Sequence, residues 1–180
     1  MPKILVTPLA EIEKVIGLDR PSHLLSLLGP DYMIGAHPRF PDGRHLRIEI
    51  HDIAFAMDGQ REPRRAHVDQ VLAFADDWDR TSPMLIHCWA GISRSTASMF
   101  MILCKLNPGT DELGILRRMR RLAPHIQPNR LLVALADERL GRDGRMVEAL
   151  DAAGPADLAT MGYRFELPAL LDPDRTAQVA

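Results

Sequence analysis

Cysteine is scarce in this chain: two residues in 180, Cys88 and Cys104. Two thiols do not make the disulfide framework of a small secreted domain, so a reducing compartment is expected. They also lie too far apart for a Cys-x-x-Cys pair, and no His/Cys set has zinc spacing, so no metal or cofactor is expected. Long apolar runs are missing too; none approaches the roughly 18 residues needed to span a bilayer. Met1-Pro2-Lys3-Ile4 lacks the extended apolar region of a secretion signal, and a cytoplasmic location is expected. Charge of one sign is absent. Lys and Arg number 22 against 24 Asp and Glu, a net charge of −2, which gives no basis for general nucleic-acid or membrane affinity. Internal repeats and low-complexity tracts are lacking. What remains is an ordinary globular composition, 46% hydrophobic and 26% charged, long enough for one domain with a real core.

The most informative stretch is Met84 to Lys105, MLIHCWAGISRSTASMFMILCK. It reads as a short apolar strand (Met84, Leu85, Ile86), a tight loop, and a helix. The loop holds Cys88 and Arg94 with five residues between them, and Ser95 follows. A thiol attacks only as thiolate, and a free Cys ionises near a pH of roughly 8.5. A helix N-terminus offers unpaired N–H groups and partial positive charge. A loop curling around the sulfur into that helix aims several N–H groups at one point, an anion nest that favours the thiolate and can grip phosphoryl oxygens. Trp89, Ala90, Gly91, Ile92 and Ser93 supply that nest. Gly91 permits the sharp turn. Arg94 adds a planar fork able to hold two oxygens, which Lys cannot do. Ser95 is placed to donate to the sulfur when it leaves, and His87 to order the loop through hydrogen bonds.

HCWAGISRST resembles the signature of the cysteine-dependent protein tyrosine phosphatases, His-Cys followed by five residues, Arg, and Ser or Thr. The Ala-Gly-Ile-Ser-Arg-Ser run is most similar to the dual-specificity branch, and to its compact bacterial members. The resemblance covers roughly residues 3–141 and is strongest over 84–96. It implies an α/β fold: a central mixed, mostly parallel sheet flanked by helices, with the phosphate loop between a strand and a buried helix. Residues 1–180 would then be one phosphatase domain, with 142–180 as a C-terminal extension. It also implies a general acid on the loop after the strand that precedes the signature. Asp52 and Asp58 lie 36 and 30 residues before Cys88, so spacing leaves both open; Asp52 is favoured because it follows directly on the strand. Pro128-Asn129 resembles a family pair whose Asn ties its loop to the cradle, and Asn129 also suits an N-cap. Gln127 takes the place of a family Gln that orients the hydrolytic water.

Around this centre the chain divides readily. Lys3 to Thr7 reads as a strand stopped by Pro8, and Glu11 to Ile16 as a short helix ended by Gly17. His23 to Leu28 (HLLSLL) is a six-residue apolar run, so periodicity does not separate strand from helix; the resemblance makes it a strand. Leu46, Ile48 and Ile50 alternate with charged residues, as in a strand. Helices are expected over 63–77, 97–104, 110–122, 130–140 and 145–153, and 155–180 should be loosely ordered. Arg61, Arg64 and Arg65 sit at one helix start, and Arg117, Arg118, Arg120 and Arg121 on another; solvated faces are the simpler reading, substrate attraction or an acidic partner the other. Cys104, in a helix apolar on nearly every face, reads as a packed thiol, with a resolving role for oxidised Cys88 as the alternative. Trp89 is expected to pack beneath the cradle.

The implied function is hydrolysis of phosphate monoesters through a phosphocysteine, on phosphotyrosine, phosphoserine or phosphothreonine in proteins, or on a small phosphoester. Loop positions where phosphoinositide phosphatases usually carry Lys hold Trp89, Ala90 and Ile92, which argues against an inositol lipid. Two other classes fit similar loops: a phosphate-dependent binding module without turnover, and a thiol redox or arsenate-reducing enzyme needing a second accessible cysteine.

Overall fold

The computed structural model describes residues 2–172. Its strands are β1 (Lys3–Pro8), β2 (His23–Leu28), β3 (His45–Glu49), β4 (Met84–Cys88) and β5 (Phe165–Pro168); its helices are α1 (Ile12–Asp19), α2 (Arg65–Asp77), α3 (Arg94–Leu106), α4 (Glu112–Leu122), α5 (Arg130–Leu140) and α6 (Arg145–Ala153). The strands form one sheet in the order β3-β2-β4-β1-β5. The first four are parallel, and β5 runs antiparallel to β1. This is the mixed, mostly parallel α/β architecture that the sequence predicts.

Side-chain alternation decides which face each strand residue covers. Ile4 and Val6 join Leu25, Leu27, Met84 and Ile86 in the main core beneath the larger helical layer. Leu5, Leu24 and Leu85 point the other way, onto Ile12, Val15 and Ile16 of α1. Helices thus cover both faces, and β2 is buried at all six positions. That double burial is why its sequence carries no alternation. α3 is buried from Arg94 through Cys104, as an all-round apolar helix must be. It follows the sheet's central strand, so the β4–α3 loop lies at the carboxyl ends of the parallel strands, where open α/β sheets bind ligands.

Two expectations fail. α1 does not stop at Gly17 but continues to Asp19, ending at Arg20 in the left-handed region, φ 48°. A helical Gly costs only about 1 kcal/mol, and the buried Val15 and Ile16 hold the preceding turn. The expectation of a loosely ordered 155–180 fails over its described part. Phe165 and Leu167 of β5 are buried against the main core. Arg164 makes a two-pronged ion pair to Asp19 at 2.8 and 2.5 Å. Asn107 donates to Ala169 O at 2.9 Å and accepts from Leu171 N at 2.7 Å. Residues 173–180 lie outside the described residues.

The fold also buries histidines. Burial, chiefly, pushes His45 and His87 down to about 4. A histidine kept neutral when folded takes up a proton below about 6.5 once unfolded, so the unfolded state binds more protons between those values. Stability is therefore expected to fall as pH drops from about 6.5 towards 4. A steadily lower urea midpoint at unchanged slope would show it; a flat midpoint across that window would contradict it.

Candidate active site

Cys88 is the last residue of β4, beside Pro8 of β1, and is 1% exposed. Its Sγ accepts from the Gly91 N–H at 3.2 Å and lies 3.1 Å from Ser95 Oγ. Gly91 has φ +70°, and a Cβ there would stand 2.8 Å from Pro8 N. Both the turn and the close crossing over β1 demand glycine.

Four of the loop's five carbonyls are engaged by neighbouring segments. Trp89 O accepts from Leu9 N, Ala90 O from Gly162 N, Ile92 O from Gln127 N, and Ser93 O from Asn129 N, at 2.8 to 3.3 Å. Within each peptide the N–H opposes the C=O, so the amides of Ala90, Gly91, Ser93 and Arg94 face inward. That is the geometry of an anion nest. Thr96 Oγ1 steadies it from the helix side, donating to Ile92 O or Ser93 O at 2.5 and 2.9 Å.

Arg94 opens α3 and is 7% exposed. Its guanidinium is anchored by one prong, NH1 to Ile50 O at 2.8 Å, while its buried Nε has no hydrogen-bond partner. A buried cationic donor left open beside a nest is costly unless something accepts from it. The acceptor available in the protein is Asp52 Oδ2, 3.7 Å away. Asp52 lies just past β3, where Ser93 Oγ and Asn129 Nδ2 donate to its Oδ1 at 2.5 and 2.9 Å. Ser93 therefore holds Asp52 instead of capping its own helix. Asn129 serves twice: its Oδ1 caps α5 at Leu132 N, 3.0 Å, and its Nδ2 also reaches Ile53 O at 3.2 Å. Asp58 is exposed in a turn six residues on and makes no hydrogen bond or ion pair to the cradle among the described residues.

The remaining sequence candidates sort out as follows. His87 is fully buried, with Nε2 2.6 Å from Ser26 Oγ. Gln127 is exposed and touches the loop through its backbone. Trp89 does not pack beneath the cradle: it is 47% exposed and stands edge-on to Tyr32, ring centroids 4.9 Å apart. Gly91 already sits where β1 crosses, so no room for an indole remains there. Together Tyr32, Trp89, Leu28 and His51 wall a cleft of about 290 Å³ that reaches Asp52 and Arg94. Cys104 is fully buried, and burial pushes its thiol far up. It lies ten residues along α3 from Arg94, about 15 Å of helix, beyond disulfide reach of the loop. The arginines at the start of α2 are matched locally, Arg61 by Glu49, Arg64 by Glu62 and Arg65 by Glu138. Two arginines on α4 hold the C-terminal segment: Arg120 at Ala153 O and Gly154 O, Arg118 at Asp172 O. Among the described residues no helix is long and apolar enough to cross a membrane, and no His/Cys/Asp/Glu group could hold a metal.

One site neighbour was invisible in the sequence. Gly162 donates to Ala90 O at 2.8 Å, and a Cβ there would lie 2.7 Å from His125 Nε2 and 3.0 and 3.1 Å from Ala90 O and Gly91 O. The C-terminal segment is thus buttoned onto the back of the cradle. Gly162→Ala is expected to lower kcat/KM towards an aryl phosphate about 10-fold, because small displacements at a reacting centre are costly. Steady-state kinetics on variant that remains folded by circular dichroism would check it; unchanged kinetics would show that the loop does not need this support.

No protein-family model and no curated protein matches the chain. Solved structures do. DUSP15 aligns with TM-score 0.61 and 16% identity, over 87% of this chain and 96% of that one. The human tyrosine phosphatase-like serine/threonine/tyrosine-interacting protein gives 0.61 and 17%, over 79% and 94%. PTPMT1 in complex with PI(5)P gives 0.58 and 15%, over 84% and 94%. With its mixed, mostly parallel sheet, its central buried helix and the loop between them, the chain has the fold of the dual-specificity and protein tyrosine phosphatases.

Proposed function

We propose that residues 1–180 act as one cysteine-dependent phosphatase that hydrolyses phosphate monoesters through a phosphocysteine. The observation that carries this is convergence: Cys88 and Arg94, at the two ends of one loop, and Asp52, from the segment after β3, meet at one inward-facing ring of N–H groups. In the first step the Cys88 thiolate attacks phosphorus in line, the bond from phosphorus to the ester oxygen breaks, and protonated Asp52 gives that oxygen its proton. Arg94 and the loop amides hold the three equatorial oxygens, where charge collects in the transition state. In the second step water attacks phosphorus, Asp52 takes its proton, and the P–S bond breaks as Ser95 donates to the departing sulfur. Asn129 and Ser93 hold Asp52 in place, and His87 supports the strand end. The Tyr32–Trp89 wall suits a flat aromatic group, so protein phosphotyrosine is the favoured substrate class.

The test is hydrolysis of an aryl phosphate and of a phosphotyrosine peptide in chelator. Asp52→Ala is expected to lower kcat by ~10²–10⁴, the usual span for a lost general acid. Asp58→Ala should stay within about twofold, the scale of a surface change remote from the chemistry. The reverse ranking would transfer the acid role to Asp58. No turnover by wild type, with phosphopeptide binding retained, would make the chain a phosphate reader instead.

A further inference from the structure

Behind the cradle runs a chain of buried polar groups that the proposed chemistry does not use. Ser26, on β2, is directly opposite His87 in the β2–β4 register and fully buried. Its Oγ lies 2.6 Å from His87 Nε2 and 2.9 Å from His45 Nε2. His45 in turn receives the backbone N–H of His37 on its Nδ1 at 3.1 Å.

Proton counting gives the bonds on Ser26 a direction. His45 Nδ1 accepts, so in the neutral ring the proton sits on Nε2 and is donated to Ser26 Oγ. Ser26 has one proton of its own. Its hydrogen-bond partners are the two rings, and His45 Nε2 already carries a proton, so the acceptor left for the hydroxyl proton is His87 Nε2. His87 Nε2 therefore carries the lone pair, and its proton is on Nδ1. That nitrogen is buried and has no hydrogen-bond partner, and the Cys88 backbone is the neighbour that favours a proton on the ring. Both rings are held neutral by burial, pushed down to about 4, so the pattern persists at neutral pH.

We propose that Ser26 and His45 are positioning residues: through this chain they hold the His87 ring as its Nδ1–H tautomer and thereby hold the Cys88 end of β4 at its place under the nest. The catalytic part rests on the reading of Cys88 as nucleophile; the tautomer part does not. His45 is the informative member. Without its donor, the Ser26 hydroxyl is free to accept from His87 as well as to donate, and both tautomers become allowed. Gln at position 45 restores an N–H donor at nearly the same point. His45 is only half-buried at the edge strand, so its replacement spares the core.

The experiment is a long-range ¹H–¹⁵N spectrum of the histidine side chains at pH 7, with His87 assigned by His87→Gln, recorded on wild type, His45→Ala, His45→Gln and Ser26→Ala. Aryl-phosphate kinetics are measured on the same samples. Wild type should show the neutral Nδ1–H form for His87. His45→Ala and Ser26→Ala should show mixed tautomers, and kcat should fall about 10-fold with KM held within about twofold, as expected when geometry and not substrate binding is disturbed. His45→Gln should recover both signals. A wild-type His87 protonated on Nε2, or tautomer mixing with unchanged kcat, would overturn the proposal. Wild type without turnover would refute the phosphatase reading and this catalytic role with it, while the spectra would still decide the hydrogen-bond chain.

Discussion

Cys88→Ser is expected to lower aryl-phosphate turnover by at least ~10⁴-fold, the scale on which losing a covalent nucleophile is felt, while phosphate is still bound. A hydroxyl and a thiol differ here in two ways. The hydroxyl ionises so far above neutral pH that the donors around it, Gly91 N–H and Ser95 Oγ, do not yield an alkoxide. It is also a smaller, harder nucleophile. Yet the oxygen keeps both hydrogen-bond partners, and the nest and Arg94 are untouched. Inhibition of wild type by inorganic phosphate and direct binding of phosphate to the variant by calorimetry should give dissociation constants within a few-fold of each other, because the grip comes from N–H groups and the guanidinium. Residual turnover within about 100-fold of wild type would mean that the sulfur is not the attacking atom. The second cysteine does not step in: Cys104 is buried three helical turns away, its thiol pushed far up.

How much of this was legible beforehand follows from how local each feature is. The cradle is contiguous: strand, Gly turn, Arg and helix start lie within 88–95, so their geometry is written in neighbouring residues. Asp52 was favoured over Asp58 for the strand before it; the hydrogen bonds that hold it come from Ser93 and Asn129, 41 and 77 residues away. β5 was missed because Phe165-Glu-Leu-Pro is short, follows no turn signal, and gains its partner β1 across more than 150 residues of chain. Gly162 shows the same limit: nothing nearby says that its missing Cβ makes room for two carbonyls of the phosphate loop. Trp89 was misjudged because its place depends on Tyr32, a residue brought beside it by the sheet order. Ser26 carries no signal in an apolar run, because its partner is His87 on the strand alongside, 61 residues on.

Arg94→Lys should be nearly as damaging as losing the thiol, lowering kcat/KM by ~10³–10⁵, the range seen when an arginine that stabilises a phosphoryl transition state is removed. Charge is conserved, so the prediction turns on shape. In the structure one prong of the guanidinium is spent on Ile50 O at 2.8 Å, which sets the plane of the fork at the β3 exit next to Asp52. The buried Nε has no hydrogen-bond partner and stands 3.7 Å from Asp52 Oδ2. Lysine offers a single ammonium at the end of a flexible stem. It either keeps the Ile50 carbonyl or turns to the phosphoryl group, and it holds no plane in doing so. The loss should fall on kcat more than on KM, because two equatorial oxygens are gripped most strongly when charge has spread onto them. Arg94→Ala supplies the control: adding guanidinium chloride at low millimolar concentration should restore part of its turnover, where the same concentration of an alkylammonium salt does not. A lysine variant within about tenfold of wild type would show that charge alone suffices and that the fork is not used in the transition state.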